Sequence, residues 1–172
     1  MLEVRYRRLV GIANGRPTRR YIQGMRKVSS APGVPERVRR QPSWLLGQAA
    51  RLGRRAARAR LARHELGLLD YLVLARLEEG GSETQAALVR TLPIDGSDMV
   101  AVLKNLEELG LVRRRRDPAD ARRKVVELTP KGSRRQPRFD TLLDRANAEL
   151  LAPLTSAERA ELVRLLRKIV GD

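Results

Sequence analysis

The sequence predicts a mainly α-helical fold with one small β-hairpin, and three observations carry that prediction. Apolar residues recur at helical spacing through most of 41–172. Two short helical segments separated by a turn of about four residues have the spacing of a helix-turn-helix. Directly after them, residues 106–132 read LEELGLVRRRRDPADARRKVVELTPKG: a helix end stopped by Gly110, a strand, an arginine-lined turn and a second strand, then Thr129 and Pro130 opening another helix. In that order the parts make a winged helix-turn-helix with long flanking helices.

Taken along the chain, residues 1–40 stand apart, with 11 Lys/Arg, two Glu, scattered Gly and Pro and no sustained periodicity. They are expected to be a basic, disordered extension. Three roles stay open: an arm adding non-specific affinity for an anionic partner, no role, or an upstream start with Met25 as an internal one. From 41 onward the sequence is read as one domain, 41–172, with its winged part at about 67–129 and helices at about 43–66 and 130–170. Pro42 and Ser43 open the first long helix. Its face of small and apolar residues (Leu45, Ala49, Leu52, Ala56) suits a partner helix, and its other side carries Arg51, Arg54, Arg55 and Arg58. Gly67 is expected to break it. Leu69, Leu72, Val73 and Leu77 mark the second helix, ending at Gly80-Gly81. Thr84 caps a short third helix that Pro93 ends, and Asp95 caps the fourth. Pro137 is expected to kink the helix from Pro130 or delay its regular start. Thr155 and Glu158 form a capping box for the last helix.

Composition narrows the function. Lys plus Arg is 36 against 20 acidic residues, a net charge of +16. Residues 41–172 hold 25 basic and 18 acidic residues. Such a balance favours an anionic partner. Trp44, Phe139, Tyr6, Tyr21 and Tyr71 are the only aromatic residues, too few for base-stacking platforms of the kind that bind single strands. Without cysteine, disulfides, thiolate metal sites and a cysteine redox switch are excluded, and His64 as the one histidine excludes a His-rich metal site. No cofactor is expected. No apolar run approaches the roughly 20 residues of a membrane helix, and a secretory signal core is missing from the N-terminus, so no membrane partner and a cytoplasmic, nucleoid-associated location are expected.

The fourth helix and the hairpin are the candidate DNA-reading surface. At 100° per residue, Met99, Val102, Leu103, Leu106 and Leu109 form a buried face. On the other side, Ser97 and Asn105 can hydrogen-bond base edges, Val100 and Ala101 can meet thymine methyls, and Lys104 can bond guanine or phosphate. The hairpin carries Arg113 to Arg116 on one strand and Arg122, Arg123 and Lys124 on the other, anchored by Val112, Val126 and Leu128. Arg114, Arg122 and Arg123 are the cations nominated for DNA, with a tip suited to a narrow minor groove. Seven cations with only Asp117 and Asp120 among them repel one another, which favours an anionic partner over a solvated charge run.

At these residues the segment 43–170 resembles the MarR-type (multiple antibiotic resistance) transcriptional regulators. The match lies in D-P-A-D-A-R-R with V-V-E-L-T-P-K-G, and in the preceding L-E-E-L-G-L-V-R-R-R-R. The resemblance implies a homodimer built by the first helix and the last two, a repressor binding an inverted repeat in double-stranded DNA. It also implies that Arg122 enters the minor groove while Asp120 steadies it. A small aromatic or carboxylic effector is implied between the dimer base and the DNA-binding lobe, nominating His64, Asp70 and Tyr71. Three positions depart from the family pattern: Ala101 where many relatives have arginine, Glu83 in place of an apolar residue, which puts the small first strand in doubt, and Pro93 where glycine is common. The rival functions are a non-switching architectural DNA-binding protein and an enzyme. No phosphate loop, nucleophile elbow or metal-ligand set supports the second, so the chain is read as non-enzymatic.

Overall fold

The structure is a computed structural model that describes residues 12–13, 16–17, 33–117, 120 and 123–171. It divides into two compact units, one of Ala57–Asp144 and one of the described residues of Met1–Ala56 and Arg145–Asp172. Two long helices, α2 (Pro42–Leu61) and α6 (Pro130–Leu150), run from one unit into the other.

The unit Ala57–Asp144 contains the end of α2, then α3 (Leu68–Gly80), α4 (Gln85–Thr91), α5 (Gly96–Glu108) and the first part of α6. Its sheet has three short antiparallel strands, β3 (Glu83–Thr84), β4 (Val112–Arg116) and β5 (Lys124–Leu128), with β5 in the middle. The register pairs Val112 with Leu128 and Arg114 with Val126, so these residues share a sheet face. Val112 and Val126 are buried there among Leu61, Val73, Leu74, Leu88, Met99, Leu103, Leu106 and Phe139, one continuous apolar core. The predicted inner face of α5 is the buried one: Met99, Leu103 and Leu106 are fully covered.

Local chemistry sets the helix boundaries. Thr84 Oγ1 accepts the Ala87 N–H at 3.1 Å, and Asp95 Oδ1 accepts the Asp98 N–H at 2.9 Å, so both short helices are capped as the sequence predicts. Helix α5 stops at Gly110, whose φ of 66° is open to glycine at little cost. Thr129 Oγ1 accepts the Gly132 N–H at 3.0 Å to open α6. In the other unit, the Thr155–Glu158 capping box opens α7 (Ser156–Val170), and a Cβ placed on Gly53 would lie 3.2 Å from Leu150 Cδ2, so α2 and α6 pass closely there.

Several expectations change. The first long helix ends at Leu61, not near 66, and a 3-10 turn (Ala62–His64) follows. Glu65 then takes a left-handed φ of 61°, and the Leu66 N–H bonds back to the Leu61 carbonyl at 3.2 Å, which lets both leucines be buried. Gly67 is therefore the residue that starts α3, not the one that breaks α2. Strand β3 is present despite Glu83: its backbone pairs with β5, and its carboxylate meets the Arg76 guanidinium, so no unpaired charge is left there. Helix α6 starts at Pro130 and is uninterrupted at Pro137. Pro137 and Ser133, whose carbonyl loses its donor, both face solvent, where the loss is cheapest. Within the first 40 residues, β1 (Ile12–Ala13) pairs with β2 (Arg16–Pro17), and one helical turn, α1 (Glu36–Arg39), is held by ion pairs from Glu36 to Arg39 and Arg40. The expectation of disorder otherwise lies outside the described residues.

Gly132 sits against the Leu111 carbonyl, and a Cβ there would fall far inside contact distance of that oxygen. Gly132→Ala is expected to destabilise the fold by about 1–3 kcal/mol. Urea denaturation measures this, and a stability within about 0.3 kcal/mol of wild type would contradict the close approach.

Candidate functional site

Opposite its buried stripe, α5 presents Ser97, Val100, Ala101 and Lys104 on one exposed face. Val100 is 52% exposed, a large apolar residue the core does not use. Ser97 Oγ donates to Asp95 Oδ1 at 2.7 Å, so it also supports the helix cap. The Lys104 ammonium lies 3.9 Å from Glu108, one turn on, with its side chain 76% exposed. At that exposure the pairing is weak and leaves the lysine available.

Asn105 departs from the expected base-facing role. Its Nδ2 donates to the Glu65 carbonyl at 3.1 Å and to Asp70 Oδ2 at 3.1 Å, which uses both amide hydrogens. The same Asp70 oxygen accepts the Gly67 N–H at 2.6 Å. Burial raises the Asp70 pKa, while the bonds from Gly67 and Asn105 pull it back. Asp70 is thus a buried helix cap, neither a solvated charge nor a group free to meet a ligand.

The wing holds its cations in two ways. Arg113 and Arg115 project on the same side of β4 and both bond Glu127 of β5, Arg113 through Nε at 2.8 Å. Glu127 is held below the usual carboxylate range, first by the Arg115 hydrogen bond, which with Arg113 outweighs burial. Arg114, on the core-facing side, reaches Glu107 of α5 at 2.8 Å. The repulsion expected among the arginines is therefore relieved within the unit by Glu127 and Glu107, acids outside the stretch that was weighed. Helical spacing and strand alternation would have found Glu107 and Glu127 only with the register known. Arg116, Arg123 and Lys124 are exposed. At the tip, the Arg123 N–H bonds the Asp120 carbonyl and the Asp117 N–H bonds the Arg123 carbonyl, each at 2.9 Å. Arg122, with its expected partnership to Asp120, lies outside the described residues.

A second cluster gathers where α3 meets α6. The Tyr71 hydroxyl donates to Asp140 Oδ1 at 2.9 Å, and Gln136 Nε2 donates to the same oxygen at 3.1 Å. Burial and Asp140 push the Tyr71 pKa up to about 12, keeping the phenol a donor. The His64 ring lies 5.9 Å from Phe139, over which the Arg135 guanidinium sits at 5.7 Å. Gln136 is 2% exposed, and its Oε1 has no hydrogen-bond partner among the described residues. Of the three residues nominated for a ligand, His64 and Tyr71 thus meet neighbouring residues of one helix. Gln136, Arg135 and Asp140 were missed; their spacing puts Gln136 and Asp140 one turn apart, but nothing in the sequence says what faces them. No group of three or more His, Cys, Asp or Glu among the described residues is placed to hold a metal, and no described helix is long and apolar enough to cross a membrane.

Three helices with a capped fourth and an arginine hairpin define a winged helix-turn-helix. The sequence profile of the MarR family matches residues 64–123. The chain is 31% identical over 111 residues to the transcriptional regulator HosA of Escherichia coli O111:H-, covering 63% of this chain and 82% of HosA. It is 28% identical over 153 residues to the transcriptional repressor NicR of Pseudomonas putida, covering 84% and 92%. A Thauera aromatica protein is 35% identical over 99 residues, 58% of this chain, which spans 60% of that relative's length. Among solved structures, BpsR of Bordetella bronchiseptica, whose DNA binding is regulated by 6-hydroxynicotinic acid, aligns with a TM-score of 0.68 at 25% identity, over 81% of this chain and 99% of that one. Escherichia coli MarR bound to operator DNA aligns at 0.63 and 25%, over 73% and 91%. The chain belongs to the MarR family of transcriptional regulators.

Burial, then Arg138, Arg135 and Arg63, lower the His64 pKa. The fold thus favours the neutral imidazole: this contribution to stability is complete above the ordinary imidazole pKa and is lost as pH falls through the window beneath it. Since His64 is the one histidine, its NMR titration is unambiguous. Its midpoint is expected below the ordinary imidazole value, and Arg138→Gln should raise it. A midpoint at or above that value would contradict the packing against α6.

Proposed function

We propose that this chain is a homodimeric, ligand-responsive repressor that binds an inverted repeat in double-stranded DNA. The observation that carries the reading is the exposed face of α5, Ser97, Val100, Ala101 and Lys104, in the same compact unit as an arginine-bearing wing. A helix reads bases from such a face, and Val100 and Ala101 suit thymine methyls. The wing adds affinity through phosphates or a narrow minor groove, where Arg122 and Arg123 are the proposed contacts and Asp120 the support. Arg113 and Arg114 are already ion-paired and act first in holding the wing.

Dimerisation is supported by the other unit. Leu45, Leu46, Val163, Leu165, Ile169 and Val170 are large apolar residues left exposed on α2 and α7. A second copy would cover them. The effector site is proposed at His64, Tyr71, Arg135, Gln136 and Phe139, a cluster offering a phenol, a guanidinium, an aromatic ring and an unmatched buried acceptor. These suit an aromatic carboxylate with a ring donor, in line with the nicotinate derivative that regulates BpsR. The effector must bind the DNA-free and DNA-bound conformations unequally to switch anything.

Selection of bound duplexes from a random pool at about 150 mM salt is the test. An inverted repeat should emerge, its half-sites about one helical turn apart. Retention with no enriched motif would instead favour an architectural protein with little sequence preference. On the selected duplex, Arg122→Ala should weaken binding about tenfold or more while leaving the melting temperature and dimerisation near wild type. Unchanged affinity, measured by fluorescence anisotropy, would remove the wing from the interface.

A further inference from the structure

We infer that Asn105 is a positioning residue that ties the recognition helix α5 to the turn carrying His64. One amide nitrogen reaches two other segments: the Glu65 carbonyl in the turn after α2, and Asp70 Oδ2 in the first turn of α3, each at 3.1 Å. Asp70 is itself anchored at 2.6 Å to the Gly67 N–H. Asn105 therefore fixes the distance of α5 from the start of α3 and from the preceding turn together. Its neighbours in the chain are the DNA-facing residues, Lys104 beside it and Ala101 one turn back.

The turn does not yield gradually. Glu65 is the one non-glycine residue with a left-handed φ among the described residues, and it sits between Leu61 and Leu66, both buried. His64 precedes it directly, with its ring on Phe139 of α6. Displacing that ring moves the Glu65 carbonyl, and Asn105 must then follow the turn or give up the bond. Giving up the second bond leaves the Asp70 carboxylate buried with only the Gly67 N–H, a costly state that burial already disfavours. Two hydrogen-bonded arrangements separated by such a cost are what let a local shift be transmitted over the width of a domain. By reciprocity, DNA binding at α5 must be felt at His64. The inference rests on the DNA-binding reading above and on no particular effector.

His64, as the one histidine, reports this directly. Its ring proton resonance is recorded with and without a saturating amount of a duplex from the selection. In the wild type, duplex binding should shift it. In Asn105→Leu, affinity should fall about tenfold for all duplexes alike, and the His64 shift should collapse even at saturation. The long-range field of the DNA is the same in both proteins, so the difference isolates the link. An undiminished shift in the variant, no shift in the wild type, or base preference altered at defined positions would each overturn the inference, the last in favour of direct base reading. Should Asn105→Leu fail to fold, the cycle of N105D, D70N and the double variant decides. Like charges face each other in N105D, and the exchange in the double variant restores a donor and an acceptor. Its loss of affinity should be smaller than the summed losses of the single variants; additive losses would overturn the link. Failure of the wild type to bind any duplex would defeat the DNA-binding reading itself, and is visible before a variant is made.

Discussion

A helix ends in carbonyls that have no partner within it, and at the end of α5 these groups are claimed by the next two elements. Thr129 Oγ1 donates to the Gly110 carbonyl at 2.7 Å, the Lys131 ammonium to that of Leu109 at 2.6 Å, and the Thr129 N–H to that of Leu111 at 2.9 Å. Gly132 leaves room for that last carbonyl to come close. Both ends of the hairpin are thereby fixed to the C-terminus of the recognition helix, and α6 departs from the same point. Wing, helix and the aromatic cluster on α6 take their positions from this joint, which is made of backbone groups and the side chains of Thr129 and Lys131.

Charge is organised more than it is accumulated. The net +16 suggests a surface waiting for an anion, but three of the four arginines of β4 have acids of their own: Glu127 receives two, and Glu107 one. Exposed pairs like these add little stability, on the order of 0–1 kcal/mol each. Their consequence is geometric: guanidinium groups held against β5 and α5 lose less freedom when a phosphate arrives than chains free in solvent would. The exposed Arg116, Arg123 and Lys124 supply the cations that are not held in this way.

Much of this was legible in the sequence because it depends on near neighbours. Thr84, Asp95, Thr129 and Thr155 each cap a helix that begins at the following residue, Gly110 stops α5 through its own φ, and the period of Met99, Leu103 and Leu106 shows which face is buried. Strand β3 was misjudged because the acid at 83 was weighed alone; its partner Arg76 lies one helix away. The turn at 62–66 was missed for a similar reason, since helical spacing continues through it and only the burial of Leu61 and Leu66 forces the chain to break.

The sequence by itself thus determined the element order, the winged helix-turn-helix, the outward face of α5 and the arginine wing, all consequences of spacing, capping and turn chemistry within a few residues. Tertiary structure alone decided how the polar side chains are used. Asn105 and Asp70 look solvent-facing on a helical wheel, yet they meet across 35 residues of chain, and Tyr71 finds Asp140 across 69. A hydrogen bond depends on atoms within about 3 Å, and which atoms those are follows from how helices pack, a relation that no local pattern carries.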